Sequence, residues 1–244
     1  MNLTLRYISN QEKQFYFERE NSLKKISSQR IADSPMLFAT RQTVTDMLAR
    51  IELFKMINSI SGHIIECGVN KGNSLMIYAH LSSILEPYAI NRTIVGFDTF
   101  SGFRSINYDK DPNNISESTF SDENSYDVLV EAMKLYDMNR CAPHFSRCET
   151  VVGDAVLTIP EYVKNEKHMT IAMLYLDFDL YEPTKIALQH LYPLVCKGGL
   201  VVFDEFNYKN YPGETEAFLE LIGPENVHLK KFTYAPFISY FVKE

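Results

Sequence analysis

The chain has no excess of positive charge. It carries 24 lysines and arginines against 31 aspartates and glutamates, a net charge of −7. That balance lacks the basic footprint of a nucleic-acid binder, so no nucleic-acid partner is expected. Two short LKK stretches, at 23–25 and 229–231, read as solvated faces. Long apolar runs are missing too. None approaches the ~18 residues of a membrane span. The opening stretch MNLTLRYISNQEKQFYFERE lacks the apolar centre of a signal peptide. Cysteine is scarce: Cys67, Cys141, Cys148 and Cys196 are scattered, with no C-x-x-C and no tight metal spacing. Reduced thiols in a cytoplasmic, membrane-free protein are the expectation. Internal repeats and low-complexity segments are absent.

What remains is an ordinary globular composition, 45% hydrophobic and 23% charged over 244 residues. That length buries a full core as one domain. Residues 1–35 are polar, show no clear period, and read as an arm or cap. Residues 36–244 read as a single catalytic-size domain. From Met36, apolar residues at Val44, Met47, Leu48, Ile51 and Phe54 follow helical spacing. This leading helix ends near Ser61-Gly62. Then strands and helices alternate. HIIEC (63–67), TIVGFD (93–98), CETVVGD (148–154), TIAMLYLD (170–177) and GGLVVFDEF (198–206) read as strands. Helical patterns follow each, at 73–85, 125–138, 155–165, 182–195 and 213–222. Pro160 is expected to break the third of these. Pro183 falls near a helix start, where proline is tolerated. Residues 101–125 form a long polar loop. Five near-continuous apolar strands with intervening helices imply a parallel sheet covered on both faces. Two last runs, 227–232 and 237–244, have no helix between them and read as an antiparallel hairpin. The fold class is therefore α/β: a doubly wound, mostly parallel, seven-stranded sheet with a C-terminal antiparallel hairpin.

Ligands of such sheets bind outside the carboxyl ends of the strands. The first end reads IIECGVNKGNS. Glu66 leaves the strand, and Gly68 and Gly72 permit a tight turn and close approach to a ligand. Asn73 and Ser74 could cap the helix that follows. The spacing G-x-x-x-G is neither a nicotinamide fingerprint nor a P-loop. At the second end, Asp98 could accept ribose hydroxyls or serve as a turn residue, with Thr99 and Ser101 beside it. At the third, Gly153, Asp154 and Ala155 fall where an adenine would lie, though Asp154 could equally cap a helix. The fourth and fifth ends, YLDFDLYEP and FDEF, bring Asp177, Asp179, Asp204 and Glu205 onto neighbouring strands ~4.8 Å apart. Carboxylates this close repel unless a cation sits among them. Hard oxygen donors suit Mg²⁺ or a similar ion. Asp177 and Asp179 would share a face if the chain stays extended. Glu182 belongs to a helix start instead. Tyr181 and Phe206 follow the acids and could wall a ligand or belong to the core. His144 precedes the third strand and could reach a ligand.

In this order, IIECGVNKGNS, VGFDTFSGF, GDAVLTIP, YLDFDLYEPTKIALQHLYPLVCKGGLVVFDEF and YPGETEAF resemble the macrocin O-methyltransferase-like family over about residues 36–244. The resemblance implies a class I methyltransferase-like Rossmann fold. It also implies S-adenosylmethionine and a divalent metal as cofactors, and a sugar or nucleotide-sugar hydroxyl as acceptor. Carried over, Glu66, Gly68 and Ser74 would line the methionine end of the cofactor. Asp98 would hold the ribose, and Gly153 and Asp154 would lie near the adenine. Asp177, Asp179, Asp204 and Glu205 would supply metal ligands. Asp179, Asp177 or His144 would act in catalysis. Two departures stand out. The family often has two aspartates where this chain has Asp204-Glu205. The lysine base of the more distant catechol enzymes is replaced by Leu180. A methyltransferase of phenols, a nicotinamide oxidoreductase and a non-catalytic binding protein are the rival classes, and a homo-oligomer is compatible with all of them.

Overall fold

The computed structural model describes residues 9–122 and 124–244. The chain divides into two compact units, one ending at Asp46 and one running Met47–Glu244.

The first unit is built from local signals rather than an apolar period. Helix α1 (Asn10–Leu23) opens with a capping box. The Ser9 hydroxyl accepts the Glu12 N–H at 3.2 Å, and the Glu12 carboxylate takes the Ser9 N–H at 3.0 Å. Helix α2 (Ser28–Asp33) opens with Ser27, which accepts the Arg30 N–H at 3.2 Å. The reading of 1–35 as polar and without a clear period did not locate these two helices. Neither helix buries a residue, so neither leaves a stripe for periodicity to find. Residues 1–8 of that segment lie outside the described residues. Helix α3 (Arg41–Ile57) begins in this unit. Its second half buries Ala49, Leu53, Phe54 and Ile57.

The second unit alternates strand and helix. The elements are β1 (His63–Cys67), α4 (Asn73–Leu85), β2 (Ile94–Asp98), α5 (Ser125–Met138), β3 (Cys148–Val152) and α6 (Ala155–Asn165). Then come β4 (Ile171–Leu176), α7 (Tyr181–His190), β5 (Val195–Phe203), α8 (Gly213–Leu221), β6 (Lys230–Lys231) and β7 (Ser239–Val242). The sheet order is β3-β2-β1-β4-β5-β7-β6. Strands β1 to β5 pair in parallel. Strand β7 runs antiparallel to both β5 and β6. The expected hairpin is present, and its second strand is the one that lies against β5.

The sheet is buried on both faces, which is why the central strands read as unbroken apolar runs. On one face Ile64, Met173, Tyr175 and Val202 pack with Leu53, Phe54, Leu75 and Tyr78 from α3 and α4. On the other, Cys67, Phe97, Leu176 and Phe203 pack with Ile159, Leu188 and Phe218 from α6, α7 and α8. Pro160 does not break α6, contrary to the expectation. A proline there removes one backbone bond, but Ala155 and Ile159 bury against the sheet and hold the helix across it. No helix among the described residues is long and apolar enough to cross a membrane.

Candidate functional site

Because β1 to β5 are parallel, their carboxyl ends form one rim. After Cys67 the chain turns through Gly68 (φ +97°), Asn70 (φ +52°) and Gly72 (φ +81°). Asp98, at the end of β2, ties this turn down. Its Oδ2 accepts the N–H groups of Val69 and Asn70, both at 2.7 Å, and its Oδ1 accepts that of Phe100 at 2.7 Å. A carboxylate offers about four acceptor positions, so one remains. Gly68 is required by the chain itself: a Cβ there would lie 2.0 Å from the Asp177 carbonyl oxygen. Asp177 N–H donates to the Cys67 carbonyl at 2.7 Å, locking the ends of β1 and β4 together.

Two expectations at this turn are corrected. Asn73 and Ser74 do not cap α4. Gly72 occupies the cap position in left-handed conformation, with no side-chain bond to the helix. Ser74 Oγ instead accepts a hydrogen bond from Arg50 Nε at 2.5 Å. Glu66 does not leave the strand. It is the fourth residue of β1 and is fully buried. Neither carboxylate oxygen has a hydrogen-bond partner of good geometry. Burial pushes its carboxyl up to about 7, with Ser74 and Arg50 opposing the shift. Such an enclosed, under-satisfied acid at the end of β1 fits a cationic ligand group.

Along the rim, Thr99 Oγ1 donates to the Gly102 carbonyl at 2.5 Å and accepts the Ser101 N–H at 3.1 Å. Gly153 N–H donates to the Asp98 carbonyl at 2.9 Å. Asp154 takes the capping alternative: Oδ1 accepts the Val156 N–H at 3.0 Å, and Oδ2 accepts the Ser105 hydroxyl at 2.7 Å. Ala155 is the buried first residue of α6.

The acids of β4 and β5 converge. Asp204 Oδ1 accepts the Tyr175 hydroxyl and lies 3.6 Å from an Arg50 guanidinium nitrogen. Burial pushes the Asp177 carboxyl well above its usual range, and Asp204, Asp179 and Glu214 add to the shift while Arg50 opposes it. Glu214, in the first turn of α8, is fully buried. It accepts the Asp179 N–H at 3.4 Å and the Glu205 N–H at 3.2 Å. Burial raises its carboxyl too, followed by the charges of Asp179 and Asp204. The chain does not stay extended between Asp177 and Asp179, so the two do not share a strand face. Asp179 has φ +62°, a left-handed conformation that aspartate tolerates better than most residues. Among the described residues, no three His, Cys, Asp or Glu side chains close around a metal position. The donor chemistry nonetheless fits a hard divalent cation: the groups are carboxylates, and they raise one another's protonation.

His144 is corrected out of the site. It is exposed on the turn preceding β3, at the amino end of the parallel strands, whereas the acids lie at the carboxyl ends. Tyr181 and Phe206 belong to the core, 2% and 5% exposed. The loop over 101–122 is fastened beside the acids. Asp111 Oδ1 accepts the Tyr181 N–H at 2.8 Å, and Asn107 Nδ2 donates to Glu182 at 2.8 Å. Three residues of this constellation went unnoticed in the sequence: Arg50, Asp111 and Glu214. Arg50 was the legible one, since it lies three residues after Met47 and four before Phe54, on the buried stripe of α3.

The profile of the macrocin O-methyltransferase (TylF) family matches residues 5–220. The chain belongs to this family. It is 28% identical over 154 residues to mycinamicin III 3''-O-methyltransferase of Micromonospora griseorubida, covering 61% of this chain and 57% of that enzyme. The chain thus spans a little over half the length of that relative. Its fold superposes on the calicheamicin methyltransferase CalS11 with TM-score 0.91 and 30% identity, over 97% of this chain and 94% of that one. A second CalS11 structure, described as an apo TDP-rhamnose 3'-O-methyltransferase, gives TM-score 0.83 and 28% identity over 97% and 96% of the two chains. In this chain the glycine turn, the Asp98 tie and the acids of β4 and β5 lie on one rim.

Proposed function

We propose that the chain is an O-methyltransferase that moves a methyl group from S-adenosylmethionine to a hydroxyl of a deoxysugar, linked to a nucleotide or attached to a natural product, with Mg²⁺ or a similar cation at the acid cluster. The observation that carries this reading is the match to the macrocin O-methyltransferase family over residues 5–220, supported by the mutual charge interactions of Asp177, Asp179, Asp204 and Glu214 on the rim that also bears the turn held by Asp98. The naming of CalS11 as a TDP-rhamnose 3'-O-methyltransferase supports the sugar class.

S-adenosylmethionine supplies a sulfonium-bound methyl: its C–S bond breaks as a C–O bond to the acceptor forms, and the hydroxyl proton must leave. A bound divalent ion would acidify that hydroxyl and fix its orientation. The rest falls to this chain. The turn over Gly68, Gly72, Asn73 and Ser74, with Glu66 behind it, would receive the methionine end. Asp98, with Thr99 and Ser101 beside it, would receive the ribose through its remaining acceptor position. Gly153, Asp154 and Ala155 would border the adenine. Asp177, Asp179, Asp204 and Glu205 would hold the cation. Asp179, half-buried at the start of α7, is the carboxylate assigned to take the proton, with Asp177 its alternative. The loop over 101–122, fastened through Asp111, would exclude water from the acceptor.

The test is methyl transfer from labelled S-adenosylmethionine to a panel of nucleotide deoxysugars, TDP-rhamnose first, with Mg²⁺ or with EDTA. Labelled sugar that forms only with the metal is the expected result. Full activity in EDTA would remove the cation from the reading. Transfer to a catechol and to no sugar would move the enzyme to the phenol class.

A further inference from the structure

Arg50 touches both halves of the rim. Its Nε donates to Ser74 Oγ at 2.5 Å, on the side of the glycine turn. Its terminal nitrogen lies 3.6 Å from Asp204 Oδ1, on the side of the acids. The guanidinium carbon stands 5.0 Å from the centre of the Tyr175 ring, and the hydroxyl of that tyrosine donates to the same Asp204 oxygen. Arg50 and Tyr175 are both buried. The positive charge also acts on Glu66 and Asp177, favouring the ionised form of each. An arginine suits this place because its planar fork points in two directions at once, which a lysine ammonium does not.

We infer that Arg50 is a positioning residue that orients Asp204 and joins the acid cluster to the turn at the end of β1. The inference rests on the function proposed above. Both contacts to Asp204 fall on one oxygen, Oδ1. The carboxylate is therefore held by one oxygen and presents the other to a ligand in a fixed orientation. Ser74 is held by the same side chain, so the two halves of the rim keep a common spacing. Arg50 touches neither the methyl nor the acceptor in this assignment. It acts through Asp204 and Ser74.

This role separates from a Coulombic one by sign. A guanidinium beside carboxylates repels an incoming cation, so removing it strengthens metal binding by charge alone. Losing the orientation slows transfer. The experiment compares wild type with Arg50→Met, Arg50→Lys and Tyr175→Phe in the full chain. Mn²⁺ affinity is read by electron paramagnetic resonance, cofactor affinity by calorimetry, and kcat and KM with the labelled-methyl assay. The expectation for Arg50→Met is Mn²⁺ binding at least as tight as wild type, with kcat lowered by roughly 10²-fold and cofactor affinity changed by less than about tenfold. Arg50→Lys should recover the charge but only part of kcat. Unchanged kcat in Arg50→Met overturns the inference. So does a joint collapse of melting temperature, Mn²⁺ binding and cofactor binding, which would make Arg50 merely structural. Should the Arg50 variants fail to fold, Tyr175→Phe removes a single hydroxyl contact to Asp204. It should lower kcat without weakening cofactor binding, and an unchanged kcat there counts equally against the inference. The Mn²⁺ titration needs no acceptor. Wild type that binds Mn²⁺ but methylates no sugar would therefore fail the proposed acceptor class, and the kcat comparison is then made with whichever other hydroxyl compound wild type methylates.

Discussion

Glu214 holds the main chain of Glu205, accepting its N–H at 3.2 Å, and reaches across to the Asp179 N–H at 3.4 Å. One buried carboxylate on α8 thus fixes the turns that follow two neighbouring strands. Hydrogen bonds of this kind contribute about 0.5–1.5 kcal/mol each, and an orphaned buried donor costs about 1–3 kcal/mol. Glu214→Ala should therefore lower unfolding free energy by about 2–4 kcal/mol, read by urea denaturation. It should also lower kcat, because both acid-bearing turns lose their support. A variant with wild-type stability and wild-type kcat would mean that other contacts hold those turns.

Gly68 makes a second prediction. Its φ of +97° is unfavourable for any residue with a Cβ, and that Cβ would lie 2.0 Å from the Asp177 carbonyl oxygen. The obstacle is backbone, so no rotamer change relieves it. Gly68→Ala should cost more than about 3 kcal/mol and separate the ends of β1 and β4. The check is a thermal melt together with cofactor titration. Gly153→Ala makes a milder comparison, because there the nearest obstacle is the methyl of Thr158 at 2.9 Å, a side chain that can move.

Much of this architecture was readable in the sequence because the sheet is buried on both faces. Runs such as IAMLYL admit few other structures, and the helix over 125–138 appeared at its observed bounds. The rim acids were readable for the same reason: charge at the end of a buried run has to be accounted for. Other features were fixed by contacts between distant residues. Asp98 gave no sign that it binds the amides of Val69 and Asn70, 29 and 28 residues earlier. Asp111 was one polar residue among many in its loop, although it caps α7 at Tyr181. Glu214 looked like an ordinary first-turn acid, favoured there by the helix dipole. His144 misled because closeness in sequence to β3 says nothing of which end of the strand it faces.

Glu66 ties stability to pH. Its carboxyl is raised from the usual 4.5 to about 7, chiefly by burial. The native state therefore holds this proton more tightly than the unfolded chain does. A group of this kind costs nothing below the unfolded value, and its cost grows as pH rises through the folded value. The window is about pH 4.5 to 7, and the full cost is about 3 kcal/mol. Glu66→Gln removes the titration. Urea unfolding at about pH 5 and about pH 8 should show the stability of wild type falling more than that of the variant, by roughly 3 kcal/mol. Parallel behaviour of the two proteins would mean that Glu66 is ionised, or neutralised by a partner, across the whole range.

Asp177 separates stability from activity. Its carboxyl is pushed well above the usual range by burial, and then by Asp204, Asp179 and Glu214. Without a cation, the ionised form is strained at neutral pH. Asp177→Asn keeps the shape and removes the charge. In protein stripped of metal by a chelator, the variant should be more stable than wild type at about pH 8, by about 1 kcal/mol, since part of Asp177 faces solvent. The advantage should shrink as pH falls, because wild-type Asp177 then takes up its proton and sheds the same repulsion. Methyl transfer should fall by roughly 10²-fold or more in the same variant. Opposite signs of this kind are expected where function requires charges that folding alone disfavours. If Asp177→Asn instead loses stability at high pH, the native cluster is already balanced by the charges of this chain, and the cation assigned to it is unnecessary.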